Sequence, residues 1–136
     1  EETLRMTPSV PFLDRKLTRD VEVCGTMLKQ GTIVWTNWQA MQLSPDHFTN
    51  PRTFNPDRFM PESKEKRHSF AFVPFSAGAR NCIGQKLAMH EAIVGLATVV
   101  RRLRVSGAAE QLKQVTQSFK IALEPGNLKL TFEERR

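Results

Sequence analysis

The feature that most constrains this chain is a cysteine in a glycine-bracketed turn, directly before its longest apolar stretch. The turn has the sequence FSAGARNCIG and occupies residues 75–84. From 84 to 105 the apolar side chains cover more than one face, which predicts a helix buried by the body of a larger protein. Unpaired N–H groups and the positive dipole at a helix start both favour a thiolate at Cys82.

Length and composition narrow the classes of protein. A chain of 136 residues with 40% apolar residues can bury a core. Because the stretch 1–6 resembles the end of a helix that nothing caps, we expect a C-terminal portion of something longer. The net charge is +6, but the basic residues are scattered without aromatic interleaving, so we expect no nucleic acid partner. With two cysteines and no CxxC, a zinc ribbon and covalent c-type haem attachment are excluded.

Short strands and a hairpin are predicted on either side of the cysteine turn. Two runs within 20–35, Val21–Val23 and Thr32–Trp35, are expected to pair. Near the end of the chain, two alternating runs within 119–132 predict a terminal hairpin. Its turn is predicted at 124–127, because Pro followed by Gly suits a type II turn.

A long irregular segment is predicted over 44–74. It follows a short helix expected between Trp35 and Leu43, and its prolines interrupt regular structure. Three phenylalanines argue for order, because each could anchor the segment to a core: Phe48, Phe54 and Phe59.

The cysteine turn by itself allows three interpretations: a metal ligand, a catalytic nucleophile or a buried structural cysteine. The histidines, His47, His68 and His90, form no cysteine-hydrolase signature. A thiolate ligand needs an apolar shell and a backbone that bends closely around it. The residues that flank Cys82 meet these needs, which favours the metal ligand.

These residues resemble the cytochrome P-450 family, the haem–thiolate monooxygenases. The turn matches the full F-x-x-G-x-R-x-C-x-G signature. Glu2–Arg5 matches the E-x-x-R motif and Pro56–Phe59 the P-x-R-F motif, in the family's order. Within this family, the stretch PFSAGARNCIGQKLAMHE at 74–91 is most similar to the fatty-acid hydroxylase branch. The resemblance implies the C-terminal portion of one catalytic domain, mainly α with small β hairpins (α+β).

The resemblance implies a role for each signature residue. Cys82 would be the proximal axial ligand of haem iron, and Arg80 and Arg15 would bind the haem propionates. The other members of the loop would cover the sulfur or bend the backbone: Phe75, Gly78 and Gly84. A buried ion-pair triad would hold the pocket without taking part in chemistry: Glu2, Arg5 and Arg58.

The resemblance also implies substrate and partners. An apolar wall formed by Val10, Phe12 and Leu13 would contact the substrate. The hairpin tip, with Pro125 and Gly126, would contact it too. The reaction would insert one atom of dioxygen into an apolar, fatty-acid or other lipid-like molecule. Haem b would be the cofactor, with electrons from NADPH through a flavoprotein reductase or a ferredoxin. The donor would dock against basic residues: Lys86, Arg101 and Arg102.

Two expectations complete this interpretation. The parent protein would be membrane-associated at the endoplasmic reticulum, with the mitochondrion as the alternative, and the isolated chain would be inactive. A non-catalytic basic binding module with a structural Cys82 is the alternative function.

Overall fold

The computed structural model describes residues 1–63, 67–107, 116–119 and 122–135, with only the backbone described at 116–119 and 124. The chain divides into two compact units, Glu1–Pro74 and Phe75–Arg136. Helices and small two-stranded antiparallel sheets make up the regular structure, which confirms the predicted combination of helices and β hairpins. None of the helices in the described ranges is both long and apolar enough to cross a bilayer.

The first unit begins with a short helix followed by four strands and a second helix. Their bounds are α1 Glu2–Met6, β1 Phe12–Lys16, β2 Val21–Val23, β3 Thr26–Leu28, β4 Ile33–Asn37 and α2 Trp38–Gln42. Strand β1 pairs with β4, from Phe12 opposite Asn37 to Lys16 opposite Ile33. Strand β2 pairs with β3, from Val21 opposite Leu28 to Val23 opposite Thr26.

The predicted pairing of Val21–Val23 with Thr32–Trp35 is therefore wrong. Cys24 and Gly25 have φ angles of 48° and 77°. Positive φ at both central positions of a two-residue loop produces a type I′ turn, which reverses the chain at once. The strand at 21–23 consequently pairs with the residues directly after this turn. Helix α2 also begins three residues later than predicted, because β4 continues to Asn37, whose side chain accepts a hydrogen bond from the Ala40 N–H.

Where the structure describes it, at 44–63 and 67–74, the irregular segment contains turns and two short 3₁₀ helices, Pro56–Phe59 and Ser69–Ala71. Only one of its three phenylalanines is fully buried: Phe48 is 1% exposed. Phe59 is half-buried, with its ring centroid 4.7 Å from that of Phe72. Phe54 is 58% exposed, so the prediction that it anchors the segment is wrong. The core of this unit forms around Phe48, Trp38, Ala71 and Pro8.

In its described residues, the second unit contains one long helix and four strands. Their bounds are α3 Gln85–Arg102, β5 Leu103–Ser106, β6 Thr116–Phe119, β7 Leu123–Gly126 and β8 Thr131–Glu134. Helix α3 ends before the predicted Val105, because residues 103–106 pair with β8, from Leu103 opposite Glu134 to Ser106 opposite Thr131.

The terminal hairpin also differs from its prediction. Strand β6 pairs with β7, from Thr116 opposite Gly126 to Phe119 opposite Leu123. Residues 124–126 are therefore part of a strand, and the predicted turn at 124–127 is wrong. Proline is tolerated at position 125 because a two-stranded sheet leaves one edge of each strand unpaired. Ile121, assigned to the first predicted strand, lies outside the described residues.

No residue of α3 is buried within the chain as described. Its apolar side chains are largely exposed: Leu87, Ile93, Val94, Leu96 and Val100. Burial of this helix by the body of a larger protein stays a prediction.

Candidate functional site

The cysteine loop is closed by its own backbone. The Cys82 N–H donates to the Phe75 carbonyl oxygen at 2.9 Å, and the Asn81 N–H donates to the Gly78 carbonyl at 3.1 Å. Ser76 and Gly78 have φ angles of 64° and 75°, which let the chain bend sharply between these contacts. The five signature positions are therefore gathered in one compact loop.

The sulfur of Cys82 is accessible and lies beside the start of α3. The cysteine is a free, exposed thiol. A methyl group at Gly84 would stand 3.8 Å from its sulfur, so a larger side chain there would begin to cover it. Gly84 is the N-cap of the 18-residue α3, and no side chain caps the helix. The Gln85 N–H at the start of the helix donates to the Cys82 carbonyl oxygen at 3.3 Å, which ties the cysteine to the first turn.

The donor set at this loop fits haem rather than a protein-held metal. Within the described ranges, no group of three or more His, Cys, Asp or Glu side chains could hold a metal ion. A structural zinc site needs four protein ligands. One exposed thiol without protein co-ligands suits an iron whose other ligands come from a porphyrin. Cys82 would hold that iron. Arg80 is exposed in the same loop and would pair with a propionate.

A second constellation lies in the first unit, where Glu2, Arg5 and Arg58 form a buried ion-pair cluster. Arg5 Nε donates to Glu2 Oε2 at 2.7 Å and Arg5 Nη2 to Oε1 at 2.8 Å. Arg58 Nε donates to Glu2 Oε1 at 3.3 Å, and so does the Asn55 N–H at 2.9 Å. The side chains of all three charged residues are 3% exposed or less.

This cluster carries one more positive than negative charge, and carbonyl oxygens compensate for the excess. Arg5 Nη1 donates to the Gln42 carbonyl at 2.8 Å. Arg58 Nη2 donates to the carbonyls of Asn50 and Thr53, at 3.0 and 3.3 Å. In the part of the chain that the structure describes, no buried side-chain nitrogen or oxygen lacks a partner. Such satisfaction is what permits buried charges.

Burial and charge act in opposite directions on Glu2. Burial raises the pKa of its carboxyl, but the hydrogen bonds from Arg5 and Asn55 and the charges of Arg5 and Arg58 lower it by more. The net pKa of Glu2 lies below its usual value, so the carboxylate is ionised at neutral pH.

The remaining predicted site residues belong to other elements of the two units. Arg15 is exposed on β1, where its Nη1 donates to the Asp14 carbonyl at 2.8 Å. The apolar wall residues Val10, Phe12 and Leu13 are half-buried, and the Phe12 ring meets Trp35 edge-on at 5.2 Å. In the second unit, Pro125 and Gly126 lie within β7 rather than at a hairpin tip.

Sequence reasoning missed two residues beside the ion-pair cluster. Gln42 is 0% exposed, and its side-chain amide joins three backbone groups. The sequence feature that indicates its burial is the spacing of four residues from Trp38, which puts both side chains on the same helix face. Arg67 is one of the basic residues that the sequence shows as scattered, but its guanidinium lies 4.5 Å from the centroid of the Phe59 ring and 5.4 Å from that of Phe48. In the sequence, only the spaced phenylalanines indicate that Arg67 has aromatic partners.

Comparisons with curated proteins place the chain among larger relatives. Probable cytochrome P450 4ac1 of Drosophila melanogaster is 42% identical over 136 residues, 99% of this chain and 26% of that protein. Cytochrome P450 4V2 of Homo sapiens is 39% identical over 127 residues, 93% of this chain and 24% of that protein. The chain thus spans about a quarter of the length of these curated relatives.

Solved structures and a family comparison agree with this placement. The crystal structure of the cytochrome P450DA heme domain matches with a TM-score of 0.90 and 26% identity, over 99% of this chain and 30% of that one. The retinoic acid bound cyanobacterial CYP120A1 matches with a TM-score of 0.89 and 25% identity, over 98% of this chain and 31% of that one. The sequence model described as Cytochrome P450 matches residues 1–132. The chain therefore belongs to the cytochrome P450 family and has the fold of its C-terminal portion.

Proposed function

We propose that this chain is the haem-binding portion of a haem–thiolate monooxygenase and that Cys82 is the axial ligand of the iron. The observation that carries the proposal is the exposed Cys82 thiol at the start of α3, in a loop closed by the hydrogen bond from its N–H to Phe75. Membership of the family makes haem the group that this thiol would bind.

The residues of the loop would each contribute to holding haem b. Arg80 would pair with one propionate, and Arg15 with the other. Gly84 keeps a side chain away from the sulfur, and Gly78 bends the backbone with its positive φ angle of 75°. Phe75 would shield the sulfur from water. When bound, haem supplies the iron at which dioxygen is activated, and electron donation from the thiolate favours O–O cleavage. The Glu2–Arg5–Arg58 cluster would hold the pocket without taking part in this chemistry.

The proposed substrate is an apolar, fatty-acid or other lipid-like molecule, into which one atom of dioxygen is inserted. Val10, Phe12 and Leu13 present half-buried apolar side chains that would contact it. Similarity to relatives of the P450 4 group supports this class, as does a structural neighbour solved with retinoic acid, a lipid carboxylate. Pro125 and Gly126 would also contact the substrate.

Electrons would come from NADPH through a flavoprotein reductase or a ferredoxin. Exposed basic side chains on α3 would meet the acidic face of this donor: Lys86, Arg101 and Arg102. We place the whole protein at the endoplasmic reticulum membrane, with the mitochondrion as the alternative.

The ligand assignment is tested with Cys82→Ala in the full-length, haem-loaded protein. The ferrous carbon monoxide complex of the unaltered protein should show the Soret band of thiolate ligation, and Cys82→Ala should lose it because alanine offers no ligand. Cys24→Ala is the matched control, since Cys24 is the other exposed free cysteine and lies in the β2–β3 turn. Retention of the band in Cys82→Ala would overturn the assignment of Cys82 as the ligand. Absence of the band from the unaltered protein would favour the basic binding module with a structural Cys82.

A further inference from the structure

Gln42 is the most completely bonded buried side chain outside the charged cluster. Its Nε2 donates to the carbonyl oxygens of Leu4 and Arg5, at 3.1 and 3.0 Å. Its Oε1 accepts from the Val73 N–H at 3.2 Å. The two N–H groups and the oxygen of the amide are therefore all used, and the side chain is 0% exposed.

The partners of this amide belong to two different structural features. Leu4 and Arg5 lie in the five-residue α1, whose last carbonyls have no partner within the helix. Val73 lies two residues before Phe75, whose carbonyl accepts the N–H of Cys82. The Gln42 amide thus links the helix that carries the ion-pair cluster to the backbone that leads into the cysteine loop.

We propose that Gln42 is a positioning residue for the cysteine segment. Its side-chain amide couples the helix of the Glu2–Arg5–Arg58 cluster to the backbone at Val73. The inference rests on the proposed function, because it assigns Gln42 a part in holding Cys82 as a haem ligand. Leucine or methionine would fill the same buried space if packing were the sole requirement. A buried amide is costly unless every hydrogen bond is made, and here the bonds span 31 to 38 residues of sequence.

The test compares Gln42→Met with Asn37→Ala in the full-length, haem-loaded protein. Methionine keeps the length of glutamine but removes the two donors and the acceptor. Asn37→Ala removes the cap of the same helix, α2, and leaves the contact between Gln42 and Val73 intact. Both variants should lower the melting temperature, so global destabilisation is matched.

Two measurements separate positioning from stability. Hydrogen exchange of the Val73 amide should be about fivefold faster in Gln42→Met, as expected when a hydrogen bond of about 1 kcal/mol is lost, and unchanged in Asn37→Ala. The fraction of ferrous carbon monoxide complex without the thiolate band should also rise about fivefold in Gln42→Met only. Equal exchange rates and equal band fractions in the two variants would overturn the proposal.

The result remains decisive if Gln42→Met fails to fold. The Val73 amide of the unaltered protein should exchange more slowly than an open loop amide, and exchange at the open rate would overturn the proposal. Absence of the thiolate band from the unaltered protein would instead count against the proposed function. In that event, slow exchange at Val73 would still support the structural link, so the two failures are distinguishable.

Discussion

At the scale of single residues, Glu2 is the group on which the buried cluster depends. We predict that Glu2→Gln lowers the free energy of unfolding by about 3–5 kcal/mol, because Arg5 and Arg58 lose their buried counter-ion. Chemical denaturation of the full-length protein measures this change. Asp20→Asn is the control: Asp20 pairs with Lys29 at 2.8 Å, but both side chains are exposed, so stability should hardly change. Equal effects of the two substitutions would contradict the buried role.

The same carboxylate should make stability depend on acidity. The pKa of Glu2 is lower in the folded protein than in the unfolded chain, where it is about 4.3. The carboxylate therefore contributes its full stabilisation when the pH is above the pKa of the unfolded chain. That stabilisation is lost as the pH falls below this value and through the folded pKa. The difference in unfolding free energy between the unaltered protein and Glu2→Gln should therefore shrink on acidification. A constant difference between pH 7 and pH 3 would contradict the pKa direction.

The sequence could predict those residues whose partners are close along the chain. Glu2 and Arg5 share a helix face at a spacing of three, and the cysteine turn is a continuous motif. The roles of Gln42 and Arg67 could not be predicted, because their partners are distant along the sequence. Val73, for example, follows Gln42 by 31 residues. A glutamine in a short helix and an arginine in a charged run normally face solvent, and only the folded chain shows otherwise.

At the scale of elements, the irregular segment 44–74 should depend on one of its phenylalanines. We predict that Phe48→Ala costs about 3–5 kcal/mol of unfolding free energy, because the ring is 1% exposed and lies 5.0 Å from the guanidinium of Arg5. Phe54→Ala should change it by less than about 0.5 kcal/mol, since Phe54 is exposed. Denaturation curves of the two variants provide the comparison. A large effect at Phe54 would contradict the assignment of the core.

Element types were easier to predict than element partners. The sequence predicts the strand at 21–23, but the partner of this strand depends on positive φ at Cys24, which few non-glycine residues adopt. The Pro-Gly pair at 125–126 suggested a turn by local preference, whereas pairing with Thr116 and Gln117 makes it a strand. At 21–23 the conformation of a two-residue turn decides the partner, and at 125–126 strand pairing overrides the local preference for a turn.

At the scale of the whole molecule, the positive charge should matter where it is concentrated. Lys86 and Arg101 are exposed on α3 and lie about 60° apart around its axis. We predict that Lys86→Glu with Arg101→Glu slows reduction by the electron donor about tenfold at low salt, because steering of the encounter is lost. Stopped-flow reduction at several ionic strengths measures this rate.

The control for this prediction keeps the same change in total charge. The double substitution Arg19→Glu with Arg52→Glu reverses the charge at two exposed arginines of the first unit. Reduction should stay within about twofold of the unaltered rate if the donor docks against α3. Equal slowing by both pairs would mean that net charge, and not a docking surface, governs the encounter.

The shortness of α1 has a consequence for how the protein is made. A five-residue helix is not stable alone, and Arg58, which completes its ion pairs, follows Glu2 by 56 positions. A ribosome adds about 5–20 residues per second, so roughly 3–11 s pass between the synthesis of Glu2 and that of Arg58. During this interval Arg58 does not yet exist, so the buried ion pair that completes the cluster at α1 cannot form.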